Sequence, residues 1–154
     1  MFEKILVCLD GSSTAEQILP HMTDEAIRFH SNMVLLRVVS LPETTIPVGI
    51  PGAPGIPFRT DGTIQRTITQ ESEAADYLER IAGPLREKGL NAEIMVMPGI
   101  AGETIISFAR ENNFTLIAIA TRRHGDLRRL AFGSTTDYVL NHSSIPVLMV
   151  RAVA

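Results

Sequence analysis

The sequence predicts an α/β domain in which a parallel β-sheet carries helices on both faces. Five short runs rich in Val, Ile, Leu or Met predict its strands, at residues 4–9, 33–39, 93–97, 116–120 and 146–151. Most of these runs are continuously apolar, which is typical of strands buried on both faces. Stretches with helical spacing lie between them, and strands that alternate with helices indicate a parallel sheet with right-handed crossovers.

Apolar residues at helical spacing predict four helices between the strands. The first stripe consists of Ala15, Ile18, Leu19, Met22 and Ala26. Pro20 falls inside it and is expected to kink the helix. The second stripe, which Gly89 is expected to end, consists of Ala74, Leu78, Ile81, Ala82 and Leu85. Two shorter stripes follow, at Ile105, Phe108 and Ala109, and, from a start near Ser134, at Tyr138, Val139 and Leu140.

Composition and charge exclude several classes of protein. The 154 residues suit one domain, which we expect to span 1–154. The 14 basic and 17 acidic residues give a net charge of −3, so the chain has no general attraction for nucleic acid. Its one cysteine, Cys8, excludes an internal disulfide and a cysteine-based zinc site. No apolar run approaches roughly 18 residues and no signal peptide is recognisable, so we expect a cytoplasmic protein without membrane contact.

A segment rich in proline and glycine, at about 41–62, interrupts the compact pattern. It contains Pro42, Pro47, Pro51, Pro54, Pro57, Gly49, Gly52, Gly55 and Gly62. The segment is far too short for a collagen helix, and a loop of this length is either functional or mobile. Its apolar residues fit packing against another subunit, and a disordered insertion is equally consistent with them.

The end of the first strand carries a carboxylate, Asp10, just before the first helix. Ligands of parallel sheets bind outside the carboxyl ends of the strands, so Asp10 is a candidate to accept hydrogen bonds from a ligand. Aspartate is also common in turns. Ser12, Ser13 and Thr14 are candidate helix caps, and Glu16 lies three residues after Ser13, as in a capping box.

The start of the last helix, Gly133-Ser134-Thr135, combines free backbone N–H groups with a glycine and two hydroxyls, which suits an anion. An ordinary helix cap has the same composition. Upstream, Arg122 and Arg123 belong to a basic stretch that either forms a solvated face or holds a phosphate. The chain lacks a P-loop, a dinucleotide-binding glycine motif and a serine nucleophile elbow, and its histidines show no metal-ligand spacing.

Taken in order along the chain, these segments resemble the universal stress protein family, over essentially the whole length. The segments that carry the resemblance are Lys4-Ile-Leu-Val-Cys-Leu-Asp-Gly-Ser12, Leu35-Leu-Arg-Val-Val39, Pro98-Gly-Ile-Ala-Gly-Glu103, Leu127-Arg-Arg-Leu-Ala-Phe-Gly-Ser134 and Ile145-Pro-Val-Leu-Met-Val-Arg151. The resemblance implies a Rossmann-like sheet, of the adenine nucleotide alpha hydrolase type, with five parallel strands in the order 3-2-1-4-5. It also implies a homodimer, for which we expect the last strand to form the interface, because its sheet edge needs covering.

The same resemblance implies one of two functional branches. One branch binds ATP through the motif G-x2-G-x9-G-[ST], and the other lacks the motif and does not bind ATP detectably. Here Gly133 and Ser134 match the end of the motif, whereas Ala120 and Arg123 replace its first two glycines. The Arg123 side chain either strains the turn or fills the pocket, or it supplies phosphate contacts in place of backbone amides.

By resemblance, particular residues take particular parts of a nucleotide. Cys8, Leu9 and Asp10 would border the nucleoside, and Val38 would pack near the base. The residues that would hold phosphates are Gly133, Ser134 and Thr135, and those that would line the altered loop are Ala120, Arg122 and Arg123.

We therefore expect a stress-response protein that binds ATP or AMP, with Mg²⁺ attending the phosphates. It would act by binding and signalling, with slow ATP hydrolysis at most, because no residue pair resembles a base poised over a nucleophile. The alternative is a dimeric interaction module of the same fold that binds no nucleotide. A transferase or ligase on a related fold is a third reading, but the pyrophosphate loop of such enzymes is missing after the first strand.

Overall fold

The computed structural model describes residues 2–40, 61–121 and 133–153, with side chains from residue 65 in the second range. Strands and helices alternate as predicted. The strands are β1 (Lys4–Cys8), β2 (Asn32–Val39), β3 (Asn91–Pro98), β4 (Leu116–Thr121) and β5 (Val147–Arg151). The helices are α1 (Ser13–Glu16), α2 (Leu19–Phe29), α3 (Asp61–Glu87), α4 (Ala101–Glu111) and α5 (Ser134–His142).

Every strand pairing that the structure describes is parallel, and the strand order is β3-β2-β1-β4-β5. The predicted α/β fold with the order 3-2-1-4-5 is therefore confirmed. β1 lies at the centre, with Cys8 opposite Leu36 of β2 on one side and Val7 opposite Ala118 of β4 on the other. The chain reverses its direction of travel across the sheet between β1 and β4, which is where such folds form a crevice for a ligand.

Both faces of the sheet are covered, which explains why the strands read as continuous apolar runs. On the first face, Ile5 and Val7 of β1 pack into a core shared with α1, α2 and α3. On the second face, Leu6 and Cys8 of the same strand pack into a core shared with α4 and α5. The alternation along each strand therefore decides which helices a side chain meets.

The helices depart from the predicted pattern in two places. The first predicted helix is divided into α1 and α2, and Pro20 lies in the first turn of α2, where its missing N–H leaves no hydrogen bond unmade. Pro20 therefore begins a helix instead of kinking one. α3 is longer than the stripe at 74–85 and contains Pro84. It ends shortly before Gly89, whose φ of 86° supplies the left-handed turn expected there.

The Pro/Gly-rich segment predicted at about 41–62 lies mostly outside the described residues. Its last two residues, Asp61 and Gly62, already belong to α3, so the predicted loop extends too far by these two positions. Among the helices that the structure describes, none is both long enough and apolar enough to cross a membrane.

Candidate functional site

A crevice of about 310 Å³ opens at the carboxyl ends of β1, β2 and β4. The first turn of α5 forms one wall, and Ala101 and Ile105 of α4 line another. A volume of this size lies at the lower end of the range of about 300–1,000 Å³ that is usual for small-molecule sites. The crevice therefore has the position and the size of a ligand site, at the point where the order of the strands reverses.

The crevice brings together every predicted site residue that the structure describes. At one end lie Cys8, Leu9 and Asp10, which follow one another at the end of β1, and Val38 of β2. At the other end lie Ala120 of β4 and three residues at the start of α5, which are Gly133, Ser134 and Thr135. Arg122 and Arg123, also predicted for this site, lie outside the described residues.

The turn after β1 holds Asp10 through its neighbour Ser12. The backbone N–H of Ser12 donates to Asp10 Oδ1 at 2.9 Å, and the Ser12 hydroxyl donates to the same oxygen at 2.5 Å. Ser12 Oγ in turn accepts from the N–H of Ala15 at 3.1 Å, so Ser12 is the cap of α1. The capping box predicted between Ser13 and Glu16 is wrong, because the cap lies one residue earlier.

The start of α5 is open to the crevice. Gly133 precedes the helix with φ of 84° and ψ of 152°, a conformation that residues with a Cβ rarely adopt. No side chain among the described residues caps the helix. Its first N–H groups, which have no partner within the helix, are therefore available to a ligand, and the helix dipole favours an anion there.

Two ionisable side chains, Asp10 and Cys8, stand among the described residues that line the crevice. Of the described residues that line the crevice, Asp10 is the one with a carboxylate. Burial raises the pKa of the Cys8 thiol to about 12, so this sulfur is neutral near pH 7 and is neither a nucleophile nor a metal ligand there. Within the part of the chain that the structure describes, no three His, Cys, Asp or Glu side chains are grouped as metal ligands.

Two threonines of the crevice were missed by sequence reasoning. Thr121, at the end of β4, is 1% exposed, and Thr136, in the first turn of α5, is 4% exposed. The signal for Thr121 was present in the sequence: it follows Ile117 and Ile119 at a spacing of two, and these side chains lie on the second face of the sheet. Alternation along β4 therefore directs Thr121 toward the same side as the crevice.

A second, more open cavity of about 630 Å³ lies against the first face, behind the Asp10–Gly11 turn. Arg37 of β2 lines it, with its guanidinium 5.2 Å from the ring centroid of Tyr77. Burial, and then the charges of Glu16 and Asp10, raise the pKa of Tyr77 to about 12. Asp10 lines both cavities, so the turn that carries it separates them.

The sequence has relatives that it matches over nearly their whole length. Universal stress protein MJ0577 of Methanocaldococcus jannaschii is 26% identical over 157 residues, which cover 98% of this chain and 96% of the relative. Universal stress protein YxiE of Bacillus subtilis is 27% identical over 151 residues, which cover 98% of this chain and 100% of the relative.

Solved structures share the fold. The structure of MJ0577 superposes with a TM-score of 0.80 at 24% identity, covering 100% of this chain and 99% of its own. A universal stress protein in complex with cAMP has a TM-score of 0.67 at 14% identity, with 97% of each chain covered. The universal stress protein of Archaeoglobus fulgidus in complex with dAMP has a TM-score of 0.59 at 19% identity, covering 97% of this chain and 99% of its own.

The sequence pattern that defines the universal stress protein family matches residues 1–151. The match takes in all five strands of the sheet and both ends of the crevice. This chain therefore belongs to the universal stress protein family.

Proposed function

We propose that the protein binds an adenine nucleotide, AMP or ATP, in the crevice, and acts in a stress response through that binding. The observation that carries the proposal is the composition of this one crevice. It joins an apolar end, a fixed carboxylate and an uncapped helix start, which suit a base, a ribose and a phosphate in that order. The solved relatives with cAMP and dAMP support it, since they are nucleotide complexes of the same fold.

The apolar end of the crevice suits the adenine ring. Leu36 and Val38 reach it from β2, and Cys8 from β1. The Cys8 thiol adds no charge, because burial keeps its pKa near 12. A planar base gains from the transfer out of water into such surroundings, and ligand pockets are in general mostly apolar with a few placed polar groups.

Asp10 is the group that would hold the ribose. Ser12 occupies only Oδ1 of the carboxylate among the described residues, so Oδ2 remains an acceptor for a ligand. A carboxylate accepts from neutral hydroxyls through charge-assisted hydrogen bonds, which are shorter and stronger than neutral ones. Because Ser12 fixes the carboxylate before the ligand arrives, little further ordering is needed on binding.

The start of α5 would take the phosphates. Its N–H groups and the hydroxyls of Ser134 and Thr135 surround the end of the crevice away from β2. Arg122 and Arg123 directly follow β4 in the sequence and would add guanidinium contacts to the outer phosphates or narrow the entrance. Among the described residues that line the crevice, Asp10 is the one carboxylate. A Mg²⁺ ion in the crevice would therefore take most of its ligands from the phosphates.

Assembly as a homodimer through β5 forms part of the proposal. β5 lies at one edge of the sheet, and its residues from Val147 to Val150 are half-buried. An unpaired edge strand with apolar side chains on both faces invites pairing with a second copy. Such pairing would cover these side chains in both protomers at once.

Isothermal titration calorimetry with AMP and with Mg-ATP tests the proposal. We expect both nucleotides to bind the wild type, and Ser134→Ala to weaken Mg-ATP. Ser144→Ala, on the exposed turn before β5, is the matched control and should leave the affinity unchanged. Absence of heat at millimolar nucleotide would overturn the proposal. It would favour an interaction module that works without nucleotide, an alternative that the replacement of the motif glycines at positions 120 and 123 supports.

A further inference from the structure

The second cavity, behind the Asp10–Gly11 turn, holds hydrogen-bond donors that lack acceptors. Tyr77 Oη is buried and has no hydrogen-bond partner among the residues that the structure describes. Arg37 and Arg80 line the same cavity, and neither guanidinium forms a hydrogen bond or an ion pair with a described residue. Buried polar atoms are ordinarily paired, so a group of unpaired donors around one cavity calls for an explanation.

Arg37 and Tyr77 are the half-buried members of the lining, whereas its other residues are exposed. The Arg37 guanidinium lies 5.2 Å from the ring centroid of Tyr77. A Cβ built on Gly11 would lie 3.1 Å from Cζ and from both terminal nitrogens of the same guanidinium. The guanidinium therefore packs against the ring and against the turn, and its N–H groups are left for a ligand.

The Tyr77 hydroxyl lies among the charges of this cavity. Burial, and then Glu16 and Asp10, raise the pKa of Tyr77 to about 12, while Arg37 and Arg80 lower it. Three of these four charged residues line the cavity, which places the hydroxyl beside it. Near pH 7 the hydroxyl keeps its proton, so it can donate a hydrogen bond to an anionic oxygen.

α3 presents a polar stripe to the cavity, at positions i, i+3, i+4 and i+7 of one helix face. Its members are Glu73, Asp76, Tyr77 and Arg80. With Asp10 and Arg37 from the strand side, the lining carries three carboxylates and two guanidinium groups. A phosphate dianion would meet a net negative lining, whereas a neutral ligand with one carboxylate and one ammonium group finds an opposite charge for each.

We propose that the second cavity is a binding site for a small zwitterion, a free α-amino acid. The ligand carboxylate accepts from the Arg37 guanidinium, whose fork suits a carboxylate, and from the Tyr77 hydroxyl. The ligand ammonium group lies at the exposed carboxylates of α3. The cavity volume of about 630 Å³ leaves room for the ligand side chain. The site is separate from the crevice, so the inference goes beyond the proposed function and does not require nucleotide binding.

NMR titration of the ¹⁵N-labelled protein with L-alanine tests the site. We expect the backbone N–H of Gly11 and the Nε–H of Arg37 to shift and to saturate with a Kd of about 1 mM. Propanoate lacks the ammonium group and ethylamine lacks the carboxylate, so each should bind at least about ten-fold more weakly. Inorganic phosphate should bind more weakly than L-alanine. No saturable shift up to about 100 mM L-alanine, or tighter binding of propanoate or phosphate, would overturn the inference.

Two substitutions identify the binding groups. Tyr77→Phe keeps the ring against which Arg37 packs and removes the hydroxyl, so L-alanine should bind about ten-fold more weakly. Its thermal midpoint without ligand should not fall, because the hydroxyl has no partner to lose in the free protein. Arg37→Met keeps an apolar stem and should abolish saturable binding. Tyr138→Phe on α5 and Arg28→Gln on the exposed side of α2 are the matched controls and should bind as the wild type does. Unchanged affinity in Tyr77→Phe or in Arg37→Met would exclude this site.

Discussion

Asp10 and Ser12 are joined by two hydrogen bonds to one carboxylate oxygen, from the Ser12 N–H at 2.9 Å and from the Ser12 hydroxyl at 2.5 Å. The arrangement fixes the carboxylate at the mouth of the crevice and leaves its second oxygen free among the described residues. Ser12 also caps α1, so the same side chain begins the helix and positions the carboxylate.

Asp10→Ala is expected to weaken AMP and Mg-ATP by about ten- to a hundred-fold. The reason is the loss of charge-assisted hydrogen bonds to the ribose, worth about 1.5–3 kcal/mol. Asp10→Asn keeps an oxygen for Ser12 and removes the charge, so it should fall between alanine and wild type. Asp24→Ala, on the exposed side of α2, is the control. Equal affinities for all four proteins would remove Asp10 from the site.

The Cys8 thiol is expected to react slowly in the folded protein. Its pKa is raised to about 12 by burial, so at pH 8 about one thiol in ten thousand is ionised. The thiol of an exposed cysteine has a pKa of about 8.5. Iodoacetamide labelling followed by mass spectrometry should show slow modification of the native protein and fast modification in guanidinium chloride. Fast native labelling with a midpoint near pH 9 would contradict the burial.

The raised pKa also fixes the sign of a pH dependence. Between roughly pH 8.5 and 12, the unfolded thiol loses its proton while the folded thiol keeps it. The free energy of unfolding should therefore decrease as the pH rises through this window, and the contribution of Cys8 should be complete below it. Urea unfolding at pH 8 and at pH 10 measures this effect. Between these two pH values, the free energy of unfolding should decrease less for Cys8→Ala than for the wild type.

The sheet could be predicted from the sequence because each strand is buried on both faces. β1 packs Val7 against one core and Cys8 against the other, and this leaves a continuous apolar run. The helix boundaries were harder. Pro20 looks like a kink in a long stripe, but a proline in a first turn interrupts no hydrogen bond, so the chain begins α2 around it.

Asp10 and Ser134 could be selected as candidates from the sequence because each carries recognisable chemistry, and both line the crevice. Tyr77 escaped because its hydroxyl is marked by a missing hydrogen bond, which a sequence does not display. The cap at Ser12 was uncertain by one residue, since serine occupies both 12 and 13 and either side chain can accept from a helix N–H. Only the turn geometry after β1 selects Ser12.

Gly102→Ala is expected to destabilise the protein by about 1–3 kcal/mol, through overpacking. A Cβ built on Gly102 would lie 2.7 Å from Cδ1 of Tyr138, so the ring would have to move. Tyr138 also stacks on His142 of the same helix, α5, with ring centroids 3.9 Å apart. The close approach of Gly102 to Tyr138 joins α4 to α5. Urea unfolding measures the loss.

Gly83→Ala is the matched control for this prediction. Outside its chain neighbours and its own helix, a Cβ on Gly83 of α3 meets no heavy atom within 4 Å, and the residue has no unusual φ. The helix propensity of alanine, about 1 kcal/mol better than that of glycine, is opposed there by crowding between the new Cβ and the ring of Pro84, the next residue. The substitution should therefore change the free energy of unfolding by less than about 1 kcal/mol at Gly83. An equally large loss at both glycines would show that the close approach of α4 and α5 is misplaced.

Arg123→Gly restores the second glycine of the ATP-binding motif and is expected to strengthen Mg-ATP by about ten-fold, ~1.4 kcal/mol. The prediction is made from the sequence, since Arg123 lies outside the described residues. Arg123→Ala removes the guanidinium without the backbone freedom of glycine, and should gain less. Weaker binding by both variants would mean that the guanidinium contacts the phosphates.

The dimer prediction concerns the two edges of the sheet, which are β5 and β3. The wild type is expected to show a dimeric mass in light scattering at micromolar concentration, and Met149→Lys a monomeric mass. Met149 lies half-buried on β5, and a lysine charge on an edge strand opposes pairing with a second copy. Met95→Lys makes the same change on β3, where Met95 is 39% exposed, and should leave the dimer intact.

A monomeric wild type, or dissociation caused by Met95→Lys alone, would exclude the β5 interface. If Met149→Lys dissociates the dimer while its circular dichroism matches the wild type, the effect belongs to the interface and not to folding.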